Sequence, residues 1–175
     1  MSEFLSKVQF WGLVILVFLL PLFFLPITQD FFDFNKMALL ASGVVVLAVI
    51  WAARLVAQGK FVWNKTPLDI SVLCFSLLVL ISALTITPNK MEAFVIPGPA
   101  TIILSCTFLF FAVTQTAGIS NFKFQISNFI TYALLASGIV VSFIVLLAVT
   151  GVLDSIGSLP GFMKAQTFSS FGAPL

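Results

Sequence analysis

Five stretches of this chain, residues 9–27, 37–53, 70–87, 100–118 and 129–153, contain no Asp, Glu, Lys or Arg. A helix crosses a bilayer core of about 30 Å with roughly 20 apolar residues at about 1.5 Å each, and every stretch approaches that length once its flanks are counted. Backbone amides inside hydrocarbon must be satisfied within the segment, so runs of this length are read as helices. Water cannot be the only solvent for such a chain: 8% charged residues are too few to cover a soluble surface, where about 25% is ordinary. The expected fold is therefore all-α, a polytopic transmembrane helix bundle of about five spans forming a single domain over residues 1–175. An odd number of crossings places the two ends on opposite faces.

Orientation follows from alternate connections. The N-terminal segment with Lys7, the second connection with Arg54, Lys60 and Lys65, and the fourth with Lys123 hold five cations against three on the other side, Lys36, Lys90 and Lys164. The excess predicts a cytoplasmic N-terminus. Trp11, Trp51, Trp63 and Tyr132 then fall at cytoplasmic helix ends or in a cytoplasmic connection, at the depth where amphipathic rings meet headgroups; the distal side carries Phe31, Phe32 and Phe34 instead. The first stretch is too long for a signal peptide and lacks a small-residue cleavage site. Pro21 and Pro26 predict a kink or early unwinding in its second half.

Helix starts are marked by capping residues. Thr66-Pro67-Leu68-Asp69 places a hydroxyl at the N-cap, Pro at the first helical position and a carboxylate at the third; Asp33 or Asn35 suits the second span in the same way. Pro97-Gly98-Pro99 reads as a turn leading into a pre-set helix start. Two internal similarities stand out. Residues 38–46 (ALLASGVVV) match residues 133–141 (ALLASGIVV) at all but one position, and their small residues suit close helix approach, although chance in a restricted apolar alphabet accounts for the match equally well. Ile119-Ser120-Asn121-Phe122 recurs as Ile126-Ser127-Asn128-Phe129, either one face of a short interfacial helix or a tandem duplication tolerated in a loop.

Several chemistries are excluded. A dispersed net charge of +2 does not make the clustered basic face that phosphate backbones require. With no His there is no imidazole base or zinc ligand, and Cys74 and Cys106, each within an apolar run, read as small buried hydrophobes. Nucleotide-binding, metalloprotease and nucleophile-elbow motifs are absent, and no cofactor is expected. The distal polar residues are Asp30, Asp33, Lys36, Lys90, Glu92, Asp154 and Lys164. Asp30 and Asp33 read as a solvated helix entry; Lys36 and Lys90 are the candidate substrate-binding residues, as point charges for lipid-linked phosphate, with snorkelling to headgroups an equal explanation. No ionisable residue stands at mid-span, which argues against an ion-coupled transporter. Mid-span hydroxyls such as Ser42, Ser105, Thr107 and Ser137 are expected to bond their own helices.

Leu20-Pro21-Leu22-Phe23-Phe24-Leu25-Pro26-Ile27-Thr28, then Phe31-Phe32-Asp33-Phe34-Asn35-Lys36 and, one span later, Thr66-Pro67-Leu68-Asp69 resemble the opening of bacterial O-antigen ligase and O-antigen polymerase-like membrane proteins, in order and spacing over roughly the first 120 residues. The resemblance implies a multi-pass protein of the bacterial inner membrane that transfers glycan from an undecaprenyl diphosphate carrier at the outer face. Such chemistry needs cations to stabilise the diphosphate as it leaves. The family's functional Arg and His residues lie mainly in later external segments; this chain has no His and a single Arg, Arg54, so no catalytic residue carries over. That departure leads to the expectation that residues 1–175 are the N-terminal part of a longer enzyme. Two other readings stay open: a small non-catalytic membrane subunit acting by helix packing, and a transporter fragment.

Overall fold

A computed structural model describes residues 2–23, 33–59, 63–95, 98–117 and 125–152. Within them the chain is helical with no strand: α1 Ser2–Leu19, α2 Asp33–Gln58, α3 Asp69–Thr85, a short α4 Lys90–Phe94, α5 Pro99–Ala117 and α6 Gln125–Val149. The five expected spans correspond to α1, α2, α3, α5 and α6. By length and composition, α2, the stretch Lys90–Ala117 that contains α5, and Ile126–Val149 of α6 are able to cross a membrane; α3, at 17 residues, is shorter but equally apolar. The protein is a helical membrane protein.

Helix limits follow the local chemistry. α1 starts at Ser2, before the apolar run, and stops at Leu19, two residues ahead of Pro21, whose ring cannot follow a helical turn. A turn follows, closed by Leu22 N–H on the Leu19 carbonyl at 2.9 Å. The expected early unwinding is thus present, and residues 24–27 of the expected span lie outside the described residues. α2 begins at Asp33, whose carboxylate complements the positive helix end. Gly98, at φ +66°, allows the sharp turn into Pro99, the first residue of α5.

α1 packs on α2 and α6, α5 lies against α1 and α2, and α3 with α4 is appended to α5. The core is the seam where Leu13 and Leu16 of α1 meet Leu40, Val44 and Leu47 of α2, closed from α5 by Leu109, Ala112 and Val113. Lipid tails are as apolar as leucine, so burial alone does not hold such helices together; close packing does. Gly43 lies at this contact. A β-carbon there would lie 2.5 Å from Leu16 Cδ1, inside van der Waals contact, so a larger residue would have to push the Leu16 side chain aside. Gly138, in the matching stretch of α6, has open space around it. The two similar segments therefore serve different surroundings.

The outward faces are apolar. On α3, Ile70 is 76% exposed and Leu78 66%, with Phe75, Leu77, Ile81 and Leu84 beside them, and α6 presents Leu135, Ile139 and Phe143 in the same way. Patches of this extent are untenable in water and costless in hydrocarbon. Cys74 and Cys106, expected to be buried, are free thiols on this exposed surface. A charge-free run tells that a helix is solvated by acyl chains, not which of its faces meets protein.

Candidate functional site

One end of the bundle carries a polar cluster inside the helix packing. Arg54, expected in the second connection, lies within α2, because that helix runs to Gln58 rather than ending at residue 53, and its side chain is 3% exposed. Its Nη1 donates to Gln9 Oε1 of α1 at 3.0 Å. Gln9 Nε2 donates to Thr116 Oγ1 of α5 at 2.9 Å, and that hydroxyl donates to the Ala112 carbonyl at 2.6 Å. Gln9 and Thr116 are both fully buried. The relay fastens three helices through four bonded groups, which satisfies part of a guanidinium that hydrocarbon would otherwise penalise heavily; Nε of Arg54 has no hydrogen-bond partner among the described residues.

Next to this cluster, the chain entering α3 is tied to α5. Gln115 Oε1 accepts the Asn64 amide at 3.1 Å and Gln115 Nε2 donates to the Asn64 carbonyl at 3.2 Å. Asp69 reaches back to Thr66: its Oδ2 accepts the Thr66 amide at 3.0 Å and the Trp63 indole N–H at 3.3 Å, and its Oδ1 accepts the Thr66 hydroxyl. The expected cap is not formed: α3 starts at Asp69 behind Leu68, which makes no side-chain cap bond, and the Asp69 carboxylate instead reaches back to hold the amide and hydroxyl of Thr66 in the turn before the helix. The Thr66 hydroxyl, then its amide, and the Trp63 N–H hold the Asp69 carboxyl below its ordinary value. Trp63 also meets Trp51 edge to face at 6.0 Å, and Trp11 meets Phe129 at 5.7 Å. Trp51 and Trp63 border an apolar cavity of about 220 Å³ that Leu73, Phe108 and Phe111 also line.

The opposite end holds the two lysines singled out in the sequence. Lys36 is half-buried in the first turn of α2. Lys90 opens α4, with Nζ donating to the Thr87 carbonyl at 2.6 Å and the Ala83 carbonyl at 3.2 Å. Its ammonium thus covers carbonyls that the end of α3 leaves without helical partners, where a cation is favoured. Met37, next to Lys36, packs against Gly98, and the Gly98 amide donates to the Glu92 carbonyl at 3.0 Å, so Lys36, Lys90 and Glu92 share one end of the bundle. Asp33 is exposed there; Asp30, Asp154 and Lys164 lie outside the described residues.

α4 itself was not anticipated. Asn89 caps it, accepting the Met91 amide at 3.1 Å, and the Asn89-Lys90-Met91-Glu92 order is the sequence signal that announces such a start. Beneath α4, between α3 and α5, runs an open groove of about 530 Å³. Glu92, Thr87 and Ser82 stand toward its outer end, and Leu78, Val79 and Ile103 line its inner part.

Of the four hydroxyls expected to bond their own helices, three do so: Ser42 to the Ala38 carbonyl at 2.7 Å, Thr107 to Ile103 at 3.0 Å and Ser137 to Leu134 at 2.9 Å. Among the described residues no group of three or more Cys, Asp or Glu side chains is placed to hold a metal ion. Of the repeated tetrapeptide, the first copy lies outside the described residues; the second forms the first turns of α6, with Ile126 buried and Phe129 against Phe10 at 5.4 Å. Compared with protein-family models, with curated proteins and with solved structures, the chain matches none.

Proposed function

We propose that this chain is the N-terminal membrane portion of an O-antigen ligase-like glycosyltransferase in the bacterial inner membrane, contributing scaffold rather than catalytic groups. Its N-terminus lies in the cytoplasm, and the end bearing Lys36 and Lys90 faces outward, toward the glycan carried on undecaprenyl diphosphate. The single observation that supports this reading is the ordered set of turn and cap residues, Leu20 to Thr28, Phe31 to Lys36 and Thr66 to Asp69. A bundle whose outer faces are apolar, with two lysines at one end, suits a protein that works on a substrate presented by the bilayer. Lys36 and Lys90 meet the diphosphate as point charges. Stabilising it as a leaving group takes further cations, contributed by other segments of the enzyme.

The test uses the 175-residue chain in proteoliposomes containing radiolabelled, undecaprenyl diphosphate-linked glycan and an acceptor lipid. The chain is expected to retain the carrier in competition with undecaprenol and to transfer no label. Measurable transfer would overturn the scaffold assignment, and equal retention of undecaprenol and its diphosphate would overturn the role of the lysines.

A further inference from the structure

The groove beneath α4 has the polarity of an amphiphile. Along α3 it extends from Ser82 and Thr87 inward to Leu78, and the helical part from Thr85 to Leu78 spans about 10 Å. The floor is made of small side chains: Ala83, Ala93 and Ala100, all buried, bring α3, α4 and α5 together without filling the space. Leu78 at the inner end is open to the surroundings, so a chain entering from the bilayer meets no protein wall.

One carboxylate lines the mouth, and one ammonium adjoins it through bonds to the lining residues Ala83 and Thr87. Glu92 lines it with an exposed carboxylate. Lys90, two residues earlier on α4, uses two of its N–H groups on the carbonyls of Ala83 and Thr87, and an ammonium has three. A carboxylate and an ammonium over an apolar slot complement a zwitterion on a hydrocarbon tail. A headgroup ammonium that still has hydrogens donates charge-assisted bonds to Glu92, which a quaternary ammonium cannot; a purely anionic headgroup meets repulsion from the same carboxylate.

We propose that the groove beneath α4 binds an amine-headed phospholipid, with Glu92 taking the ammonium, Lys90 the phosphate and the α3–α5 wall an acyl chain. The site shares Lys90 with the glycan reading but does not rest on that reading, since it asks only for a lipid of the surrounding membrane.

The test is native mass spectrometry of the full chain released from micelles equilibrated with equal amounts of dioleoyl phosphatidylethanolamine, phosphatidylcholine and phosphatidylglycerol. The wild type is expected to retain the ethanolamine lipid about ten-fold over either other lipid, the scale of one charge-assisted contact. Glu92→Gln, an exposed change, removes that preference while leaving total retention similar. Ser82→Leu, which fills the wall of the groove, lowers retention of the ethanolamine lipid to the level of the others; circular dichroism confirms that both variants keep the wild-type helix content. Equal retention of the three lipids by the wild type, a preference for phosphatidylglycerol, or an unchanged preference in Glu92→Gln would each overturn the proposal.

Discussion

Replacing Gly43 by alanine adds one methyl group at the tightest point of the α1–α2 seam. That carbon would stand 2.5 Å from Leu16 Cδ1 and 3.1 Å from Cδ2, against an optimal separation of about 3.5–4.0 Å between carbons. Relief requires Leu16 to move by roughly 1 Å or the helices to part, and Leu16 is enclosed by Leu13, Leu40, Val44 and Leu47. Overpacking of this kind costs about 1–3 kcal/mol, while alanine in place of glycine inside a helix contributes about 1 kcal/mol in the other direction. The expected net loss is about 0–2 kcal/mol. Gly138→Ala is the internal control, because nothing stands within reach of its added carbon and only the propensity gain of about 1 kcal/mol remains. The quantity to measure is the difference between the two variants, about 1–3 kcal/mol, from reversible unfolding in mixed micelles followed by circular dichroism. Adding Leu16→Ala to both variants should shrink that difference, since the colliding atoms are then gone. If Gly43→Ala and Gly138→Ala prove equally stable, helix packing as described here is wrong.

The buried relay makes a second prediction: Gln9→Leu leaves Arg54 enclosed without its neighbour and costs about 1–3 kcal/mol, whereas adding Arg54→Met restores most of that loss because both polar partners are then replaced together. Asp69 makes a third. Its folded-state value is depressed, so its contribution is present above the ordinary carboxylate range and is lost as pH falls through the lowered folded value; the thermal midpoints of wild type and Asp69→Asn should differ at neutral pH and converge in acid, and a constant gap would contradict the assignment. Membrane sidedness supplies the fourth: single cysteines replacing Lys65 and Lys90, in a background without Cys74 and Cys106, should react with an impermeant maleimide from opposite faces of sealed vesicles, Lys90 from the outside. Labelling of both from one face would refute the topology.

How much of this was legible from residues depended on which physical constraint was being read. The bilayer demands long charge-free runs, so the five long helices could be placed from residue types alone, and Pro21 and Pro99 announced where α1 ends and α5 begins. Which side of a helix faces protein leaves a weaker trace when both sides are apolar, and Cys74 and Cys106 were accordingly misassigned to the interior. Filtering on formal charge also passed over Gln9, Gln115 and Thr116, uncharged groups whose bonds organise one end of the bundle. Their positions at the edges of apolar runs, on the same side as Arg54, were the available signal. The similarity between residues 38–46 and 133–141 illustrates the reverse error, because like sequence does not mean like surroundings: Gly43 is in contact and Gly138 is open.

The fold and both proposed sites require the apolar faces of α2, α3, α5 and α6 to be solvated by acyl chains. The direct measurement is fractionation of cells expressing the chain, with the membrane pellet washed in alkaline carbonate to strip peripheral proteins and then extracted with detergent. The chain should survive the wash in the pellet and dissolve only with detergent. Its recovery in the carbonate supernatant would contradict the account at its foundation.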